Sequence, residues 1–267
     1  MGRMLLLLAI SAGLFGKTAK LDGRNLYYEA QGAGPRAVVL IHGWTCDHTF
    51  WSAQAGALAK KYKVIALDLP GHGRSEAAAE YPVTLFARAV EAAMRAERVS
   101  KVVLMGHSMG GAVILTFSRL FPAKLEAAVL VDSVMLESGA AAGAVKFYER
   151  FTGEQGLIAR RKMVEGMFSE ASTPAVREQV LQVMLAAPES LAVGAMKGMF
   201  APEVWKEGQS SAPALAVVAN PAQIREEALR ARFPNLTYKT LPGTGHFLMM
   251  EKPAEFNAIA LEWLARR

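Results

Sequence analysis

The feature that most constrains the fold is an alternation of short apolar segments with longer segments of helical periodicity, which begins near residue 17. The short segments are almost entirely apolar, which is typical of central strands in a parallel sheet because both faces of such a sheet are covered. Strands are predicted at Ala37–Ile41, Val64–Leu67, Val102–Met105, Ala127–Val131, Leu215–Ala219 and Leu236–Lys239. Helices are predicted at Phe50–Lys60, Thr84–Glu97, Met109–Phe121, Gln223–Arg232 and Pro253–Ala265. The sequence thus predicts an α/β fold with a mostly parallel sheet flanked by helices.

Two more strands are predicted before this pattern starts. Thr18–Leu21 and Leu26–Glu29 are separated by a segment that contains Asp22-Gly23, a dipeptide typical of tight hairpin turns. With this antiparallel pair the predicted sheet has eight strands.

Residues 133–211, called the cap segment below, interrupt the alternation of strands and helices. Their helical patterns are punctuated by Pro174, Pro188 and Pro202. We expect a helical cap inserted after strand 6, between the two parts of the α/β core at 17–132 and 212–267.

Methionines recur along the cap segment, some of them at helical spacing. They are Met135, Met163, Met167, Met184, Met196 and Met199. Packing between helices is the default interpretation of such a pattern. The alternative is a pliable apolar wall of a substrate site, since methionine side chains adapt to irregular shapes.

Charge and cysteine content exclude several classes of function. Lysine and arginine number 30 against 24 acidic residues, a net charge of +6, but a positive balance indicates nucleic-acid binding only where the charges cluster. The densest group, Arg160-Arg161-Lys162, has a helical pattern and is interpreted as a solvated helix face, so no nucleic-acid partner is predicted. The single cysteine, Cys46, excludes an intrachain disulfide and Cys-rich metal sites. Neither a metal nor a cofactor is expected.

The N-terminus resembles a secretory signal. Arg3 precedes an apolar run from Leu5 to Phe15, which is too short to span a bilayer but suits the apolar part of a signal peptide. We predict a signal segment at 1–16 and export, with no stable membrane anchor; the alternative is an apolar helix packed on a cytoplasmic protein. Gly16-Lys17-Thr18 ends like a phosphate-binding loop, but Ser11 stands where that loop requires glycine.

A nucleophile is predicted where the third parallel strand meets its helix. Val102–Met105 runs directly into Gly106-His107-Ser108-Met109-Gly110-Gly111 and then into an apolar helical pattern. Glycines on both sides of Ser108 permit a sharp turn that presents the hydroxyl above the sheet. A serine hydroxyl is a poor nucleophile at neutral pH and needs an imidazole nearby to take its proton.

These motifs resemble those of the α/β-hydrolase superfamily, in particular its esterase and perhydrolase-like branches. The resemblance covers about residues 18 to 267. Besides the segment around Ser108 it rests on His42-Gly43-Trp44, on Asp68-Leu69-Pro70-Gly71-His72-Gly73-Arg74-Ser75 and on Gly245-His246-Phe247. The combination is specific for the fold and much less specific for the substrate.

The resemblance implies the other parts of a catalytic site. His246 corresponds to the catalytic base, and the backbone N–H groups of Trp44 and Met109 correspond to the oxyanion hole. The family usually places an aspartate after the seventh strand, but this chain has Asn220 and Gln223 there.

Asp132 is the predicted acid of the triad. It is the only aspartate between Ser108 and His246 and directly follows the strand Ala127–Val131, where some branches of the superfamily carry their acid. The alternative is that Asp132 only caps the exit from that strand. Glu226 and Glu227 are poorer candidates because they lie in a predicted helix.

The remaining histidines are given structural roles. We expect His42 to shape the loop beside the oxyanion hole, His107 to flank the nucleophile, His72 to hold a turn and His48 to lie on the surface. Trp51 is expected to pack on the following helix.

The sequence therefore predicts a serine carboxylesterase that forms an acyl-enzyme on Ser108 and takes a small or medium apolar ester. One alternative keeps the fold but cleaves another bond, by carbon–carbon cleavage, lactone opening or perhydrolysis. The other is a ligand-binding protein without catalysis, which the missing aspartate near Gln223 favours. Serine at the elbow argues against haloalkane dehalogenases and epoxide hydrolases. Those relatives within the superfamily carry a carboxylate at this position.

Overall fold

The structure is a computed structural model that describes residues 15–136, 145–220 and 224–267. In this part of the chain, eight strands form one sheet in the order β1-β2-β4-β3-β5-β6-β7-β8. The strands are β1 (Phe15–Leu21), β2 (Arg24–Gln31), β3 (Ala37–Ile41), β4 (Lys63–Leu67), β5 (Val102–His107), β6 (Leu125–Val131), β7 (Ala214–Asn220) and β8 (Leu236–Pro242).

The sheet is antiparallel at one edge and parallel elsewhere. β1 and β2 form the predicted hairpin, whose turn residues Asp22 and Gly23 have φ of 48° and 81°, as a tight two-residue turn requires. β2 also pairs antiparallel with β4, whereas the neighbours from β4 to β8 are parallel. β3 and β5 are buried along their whole length. The predicted fold class is confirmed.

The helices outside the cap segment are α1 (Ser52–Leu58), α2 (Val83–Ala96), α3 (Met109–Leu120), α8 (Glu226–Arg230), α9 (Leu248–Glu251) and α10 (Pro253–Ala265). α2 packs on α3, and α1 packs on α10. The helix predicted from Phe50 instead starts as a 3-10 turn at His48–Trp51, because the Asp47 side chain accepts the Thr49 N–H and caps it. α8 is shorter than predicted, and Gln223 lies outside the described residues.

The described part of the cap segment contains α4 (Val145–Glu149), α5 (Gly153–Glu165), α6 (Pro174–Ala186) and α7 (Glu189–Met199). The expectation of a solvated basic face on α5 is wrong for Arg160, which is buried and donates from its guanidinium to the Ala187 carbonyl at 2.8 Å. Arg161 and Lys162 are exposed as expected. Helix periodicity places these neighbours on different sides, so Arg160 faces the residues that join α6 to α7 whereas Arg161 and Lys162 face solvent.

Most of the predicted signal segment, residues 1–14, lies outside the described residues, and its last two residues begin β1. No single described helix is long and apolar enough to cross a membrane. The helical segments Pro174–Ala186 and Glu189–Trp205 reach the required length and apolar composition only when they are taken together, and the chain bends by 94° between them.

Candidate active site

Ser108 stands at a strained turn between β5 and α3. Its backbone has φ 52° and ψ −114°, a conformation that costs a non-glycine residue about 1–3 kcal/mol. The neighbouring glycines allow the strand and helix to cross closely: a Cβ on Gly106 would lie 2.7 Å from the backbone of Gly110. A Cβ on Gly111 would lie 2.5 Å from the Cβ of Ser133. The two glycines from which the elbow was predicted are therefore also required by the packing around it, because neither position has room for a Cβ.

The start of α3 and the loop after β3 meet at the elbow. Met109 is the first residue of α3, so its N–H is one of those that a helix leaves without an internal partner. The loop after β3 packs on the elbow at Gly43, where a Cβ would lie 2.9 Å from His107 Nδ1 and 3.2 Å from Ser108 Cβ. Trp44 follows directly, and its indole Nε1 donates to the Ala192 carbonyl of α7 at 2.7 Å. This hydrogen bond joins the loop after β3 to the cap segment.

Asp132 and His246 form a hydrogen-bonded pair. Asp132 Oδ2 accepts from His246 Nδ1 at 2.6 Å, and Oδ1 accepts from the Ala219 N–H at 3.0 Å. Asp132 also has a left-handed backbone, with φ of 40°. Asp132 therefore contacts two elements, since one oxygen accepts from His246 and the other from the backbone near the end of β7.

The pair is partly shielded from water, with 8% of the Asp132 side chain and 19% of the His246 side chain exposed. Burial alone would raise the pKa of Asp132, but the hydrogen bond from His246 and the electrostatic interaction with that side chain, helped by the Ala219 N–H, outweigh it and hold that pKa below its ordinary value. An ionised carboxylate only accepts hydrogen bonds, so His246 carries its proton on Nδ1. Nε2 is then left to accept a proton.

The backbone of His246 is held from two sides. Its N–H donates to the Met167 carbonyl of the cap segment at 3.0 Å. Its carbonyl accepts from His107 Nε2 at 2.8 Å, and the two imidazole rings lie 4.6 Å apart between centroids. Burial, with a smaller contribution from His246, lowers the pKa of His107 to about 3, so His107 is a neutral donor.

Ser108, Asp132 and His246 line one cavity of about 400 Å³, together with Trp44. The rest of the lining is mainly apolar and includes Val134, Phe147, Met163, Met167, Phe168, Met184, Met196, Met199, Phe200 and Phe247. Within the described residues, no lysine, arginine or glutamate lines it. Five of the six methionines singled out in the cap segment face the cavity, whereas Met135 is buried in the core.

Cys46 also lines the cavity, where burial raises the pKa of its thiol. Its Sγ contacts the Trp44 carbonyl at 3.4 Å. Within the described residues, no group of three or more histidine, cysteine, aspartate or glutamate side chains is arranged to hold a metal ion.

Two of the remaining histidines hold loops together. His42 Nδ1 donates to the Gly43 carbonyl at 2.8 Å, and its Nε2 accepts from the Leu69 N–H at 3.0 Å. His42 thereby joins the loops that follow β3 and β4. His72 Nδ1 lies 3.1 Å from the Pro70 carbonyl, and burial lowers the pKa of His72 to about 3.

His48 is not a surface residue, contrary to expectation. Its Nδ1 lies 2.8 Å from Asp68 Oδ1 and its Nε2 lies 3.3 Å from Glu29 Oε1. The 3-10 turn that replaces the start of the predicted helix directs this side chain inward. Burial alone would lower the pKa of His48, but the two carboxylates outweigh it and raise the pKa above its ordinary value.

The usual position of the family's acid offers no replacement for Asp132 in the described residues. Asn220 ends β7 and is exposed. Gln223 lies outside the described residues. Glu226 and Glu227 form the first turn of α8, where Glu226 pairs with Arg230 at 2.6 Å.

Comparisons with known proteins agree with this architecture. The sequence profile of the Alpha/beta hydrolase family matches residues 38–259. A protein of Cupriavidus necator named as the dihydrolipoyllysine-residue acetyltransferase component of an acetoin cleaving system is 31% identical over 256 residues, which cover 90% of this chain and 67% of that protein. A putative esterase/lipase of Haemophilus influenzae is 25% identical over 228 residues, covering 81% of this chain and 78% of that protein.

The solved structure of a thermophilic esterase from Thermogutta terrifontis superposes with a TM-score of 0.83 at 26% identity, covering 94% of this chain and 98% of the esterase. Sequence and structure therefore lead to the same assignment: this chain belongs to the Alpha/beta hydrolase family.

Proposed function

We propose that the protein is a serine hydrolase that cleaves carboxylic esters of small or medium apolar substrates. One observation carries the proposal: the Asp132–His246 pair opens into the same cavity as the strained Ser108. Strained backbone at a non-glycine residue persists only where the surrounding structure enforces it, and such residues concentrate at functional sites. Both Ser108 and Asp132 have such a backbone.

Acylation begins when His246 Nε2 takes the proton of the Ser108 hydroxyl. The Ser108 Oγ attacks the ester carbonyl, forms a carbon–oxygen bond and pushes the carbonyl electron pair onto oxygen. The N–H groups of Trp44 and Met109 stabilise this oxyanion, aided by the positive end of α3. The intermediate collapses, the bond to the alcohol breaks, and His246 gives its proton to the departing alcohol.

Deacylation repeats these steps with water. His246 removes a proton from a water molecule, whose oxygen attacks the acyl carbonyl and forms a second oxyanion in the same hole. Collapse breaks the bond to Ser108 Oγ, which recovers its proton from His246, and the carboxylic acid leaves. Asp132 stays ionised and stabilises the His246 cation in both halves of the reaction.

The lining of the cavity supports an uncharged, apolar substrate. The methionine and phenylalanine side chains offer apolar contact on the cap side. A charged acyl group would lose its hydration there without gaining a partner, which is unfavourable in an apolar environment. The thermophilic esterase that shares the fold at 26% identity also supports ester cleavage as the reaction.

The test is hydrolysis of a series of uncharged chromogenic esters by the wild type and by Ser108→Ala. We expect turnover by the wild type and a loss of about 10⁶ in kcat for the variant, because a triad serine has no substitute. Ser118→Ala is the matched control, since Ser118 lies on α3, the helix that follows Ser108, and its hydroxyl donates to the Leu115 carbonyl at 2.8 Å.

Labelling by an organophosphonate provides a second measurement, because only an activated serine reacts quickly. A wild type that is neither labelled nor active, or a Ser108→Ala variant as active as the wild type, would refute the proposal. The first result would favour a ligand-binding protein, and the second would require another nucleophile.

A further inference from the structure

The cap segment contacts the loop that carries His246. We call residues 243–247, between β8 and α9, the His246 loop, and residues 167–172, between α5 and α6, the cap loop. The His246 N–H donates to the Met167 carbonyl of the cap loop at 3.0 Å. A Cβ on Gly245 would lie 2.7 Å from that carbonyl oxygen and 3.0 Å from the Ser169 nitrogen, so the two backbones approach as closely as glycine allows.

Glu251 joins the same two loops through its side chain. Its Oε2 accepts from the Gly245 N–H at 2.5 Å, next to His246. Its Oε1 accepts from the Ser172 hydroxyl of the cap loop, and Ser172 Oγ in turn accepts from the Ser169 N–H at 3.0 Å. One carboxylate therefore holds a donor from each loop.

Arg177 contacts both the backbone and a side chain of the cap loop. Arg177 of α6 donates from Nε to the Ser172 carbonyl at 2.9 Å and from its terminal nitrogen to the Ser169 carbonyl at 2.7 Å. The same guanidinium lies 4.8 Å from the ring centroid of Phe168, which lines the cavity and packs against Phe247. The cap loop thus connects the apolar wall of the cavity to the backbone of His246.

We propose that Glu251 is a positioning residue that fastens the cap loop to the His246 loop, so that the seating of the cap segment sets the geometry of the base. This inference rests on the proposed function, because it needs His246 to act as that base. Glu251 contacts neither reacting atom, so its effect passes through the Gly245 N–H. A carboxylate suits the task because both oxygens accept, whereas the two groups it holds both donate.

The test compares Glu251→Ala, Ser172→Ala and the double variant with the wild type, using kcat, KM and the rate of organophosphonate labelling. For Glu251→Ala we expect kcat and the labelling rate to fall about 10²-fold, because a small displacement of a catalytic group lowers the rate by about that factor. We expect KM to stay nearly unchanged. For Ser172→Ala we expect about a tenfold loss, the effect of one hydrogen bond to a charged group. The double variant is expected to match Glu251→Ala, because both changes cut one connection.

Two further variants separate positioning from general destabilisation. Glu251→Gln keeps an acceptor for the Gly245 N–H and a polar group for Ser172, so we expect it to recover most of the activity lost in Glu251→Ala. Glu255→Ala is the matched control, since Glu255 is exposed on α10, and we expect wild-type kinetics. If Glu251→Ala does not fold, Ser172→Ala and Glu251→Gln still test the positioning role of Glu251.

The outcomes distinguish this inference from the proposed function. An active, labelled wild type whose Glu251 and Ser172 variants keep kcat within twofold would overturn the positioning role and leave the esterase intact. Independent, additive losses, or losses that follow the unfolding temperature alone, would also overturn it. A wild type that is neither active nor labelled would remove both proposals together.

Discussion

The molecule contains two buried Asp–His pairs whose surroundings give them different properties. In one pair Asp132 Oδ2 lies 2.6 Å from His246 Nδ1, and in the other Asp68 Oδ1 lies 2.8 Å from His48 Nδ1. Both aspartates directly follow a parallel strand, β6 or β4, at the same edge of the sheet. By residue type, distance and place in the fold the pairs are nearly equivalent.

They differ in what their remaining atoms contact. Asp68 is fully buried and also accepts from the backbone N–H groups of His48 and Arg74, at 2.8 and 2.9 Å. The second nitrogen of His48 faces Glu29. Within the described residues, His246 Nε2 has no hydrogen-bond partner, and His246 lines the cavity beside Ser108.

The electrostatics follow from these contacts. Burial alone would raise the pKa of Asp68, but His48 outweighs it and the pKa is lowered; in turn Asp68 and Glu29 raise the pKa of His48. The two carboxylates therefore favour the protonated form of His48, and both of its ring nitrogens face a carboxylate. A histidine serves as a base only where one nitrogen is oriented and the other is free, and in this comparison His246 meets that condition.

The largest expected effect that tests the comparison is on catalysis, in Asp132→Asn. The asparagine oxygen can still accept from Ala219, so the fold should persist, but the amide favours the wrong tautomer of His246. We expect kcat to fall about 10⁴-fold with the unfolding temperature almost unchanged. Hydrolysis of the best ester, measured with thermal unfolding, checks this; a loss under tenfold would remove Asp132 from the catalytic site.

The next largest effect is on stability, in Asp68→Asn. This change removes the buried carboxylate that pairs with the His48 side chain. Because the loss of one partner from a buried ion pair is strongly destabilising, we expect the free energy of unfolding to fall by about 3 kcal/mol. The kcat of the folded protein should stay within about threefold of wild type, since the Asp68 pair does not line the cavity. Urea unfolding and ester hydrolysis measure the two quantities, with Asp47→Asn, at a nearby helix cap, as control. A catalytic loss without destabilisation would reverse the roles assigned to the pairs.

The smallest effect is a difference in pH dependence between the wild type and His48→Gln. Because the pKa of His48 is raised by folding, its protonated form adds stability that is complete below its unfolded pKa of about 6.5 and is lost as pH rises through the folded value. The stability difference between wild type and His48→Gln should therefore shrink from pH 5.5 to pH 9. Urea unfolding at both pH values measures this difference, and a difference that grows with pH would contradict a raised pKa for His48.

Much of the core could be predicted because its signals are local. The order of strands and helices follows from the apolar runs, and α10 has the predicted bounds because Pro253 opens it. The end of β8 was missed, since the strand runs to Pro242 but was predicted to end at Lys239. The polar pair Lys239-Thr240 interrupts the apolar run before the hydrogen-bonded ladder ends. The small helix α9 was missed for a similar reason, since four residues carry too little periodicity.

The sequence was less informative about burial. His48 and Arg160 were both expected at the surface and are both buried. Their partners come from distant segments, Glu29 and Asp68 for His48 and the Ala187 carbonyl for Arg160. A charged side chain is buried only where such partners meet it, and a single sequence does not show which segments meet.

The sequence by itself determined the family, the elbow serine and the small set of acids available to His246. The spacing of the motifs and the small number of aspartates can both be read from the chain alone. Only the tertiary structure decided which Asp–His pair opens to the cavity, since Asp132 and His246 are 114 positions apart and meet through the parallel order of β6, β7 and β8. It also decided that Glu251 contacts both the cap loop and the His246 loop. Such contacts depend on how packed elements bring backbone groups together, and the residue types alone do not specify that.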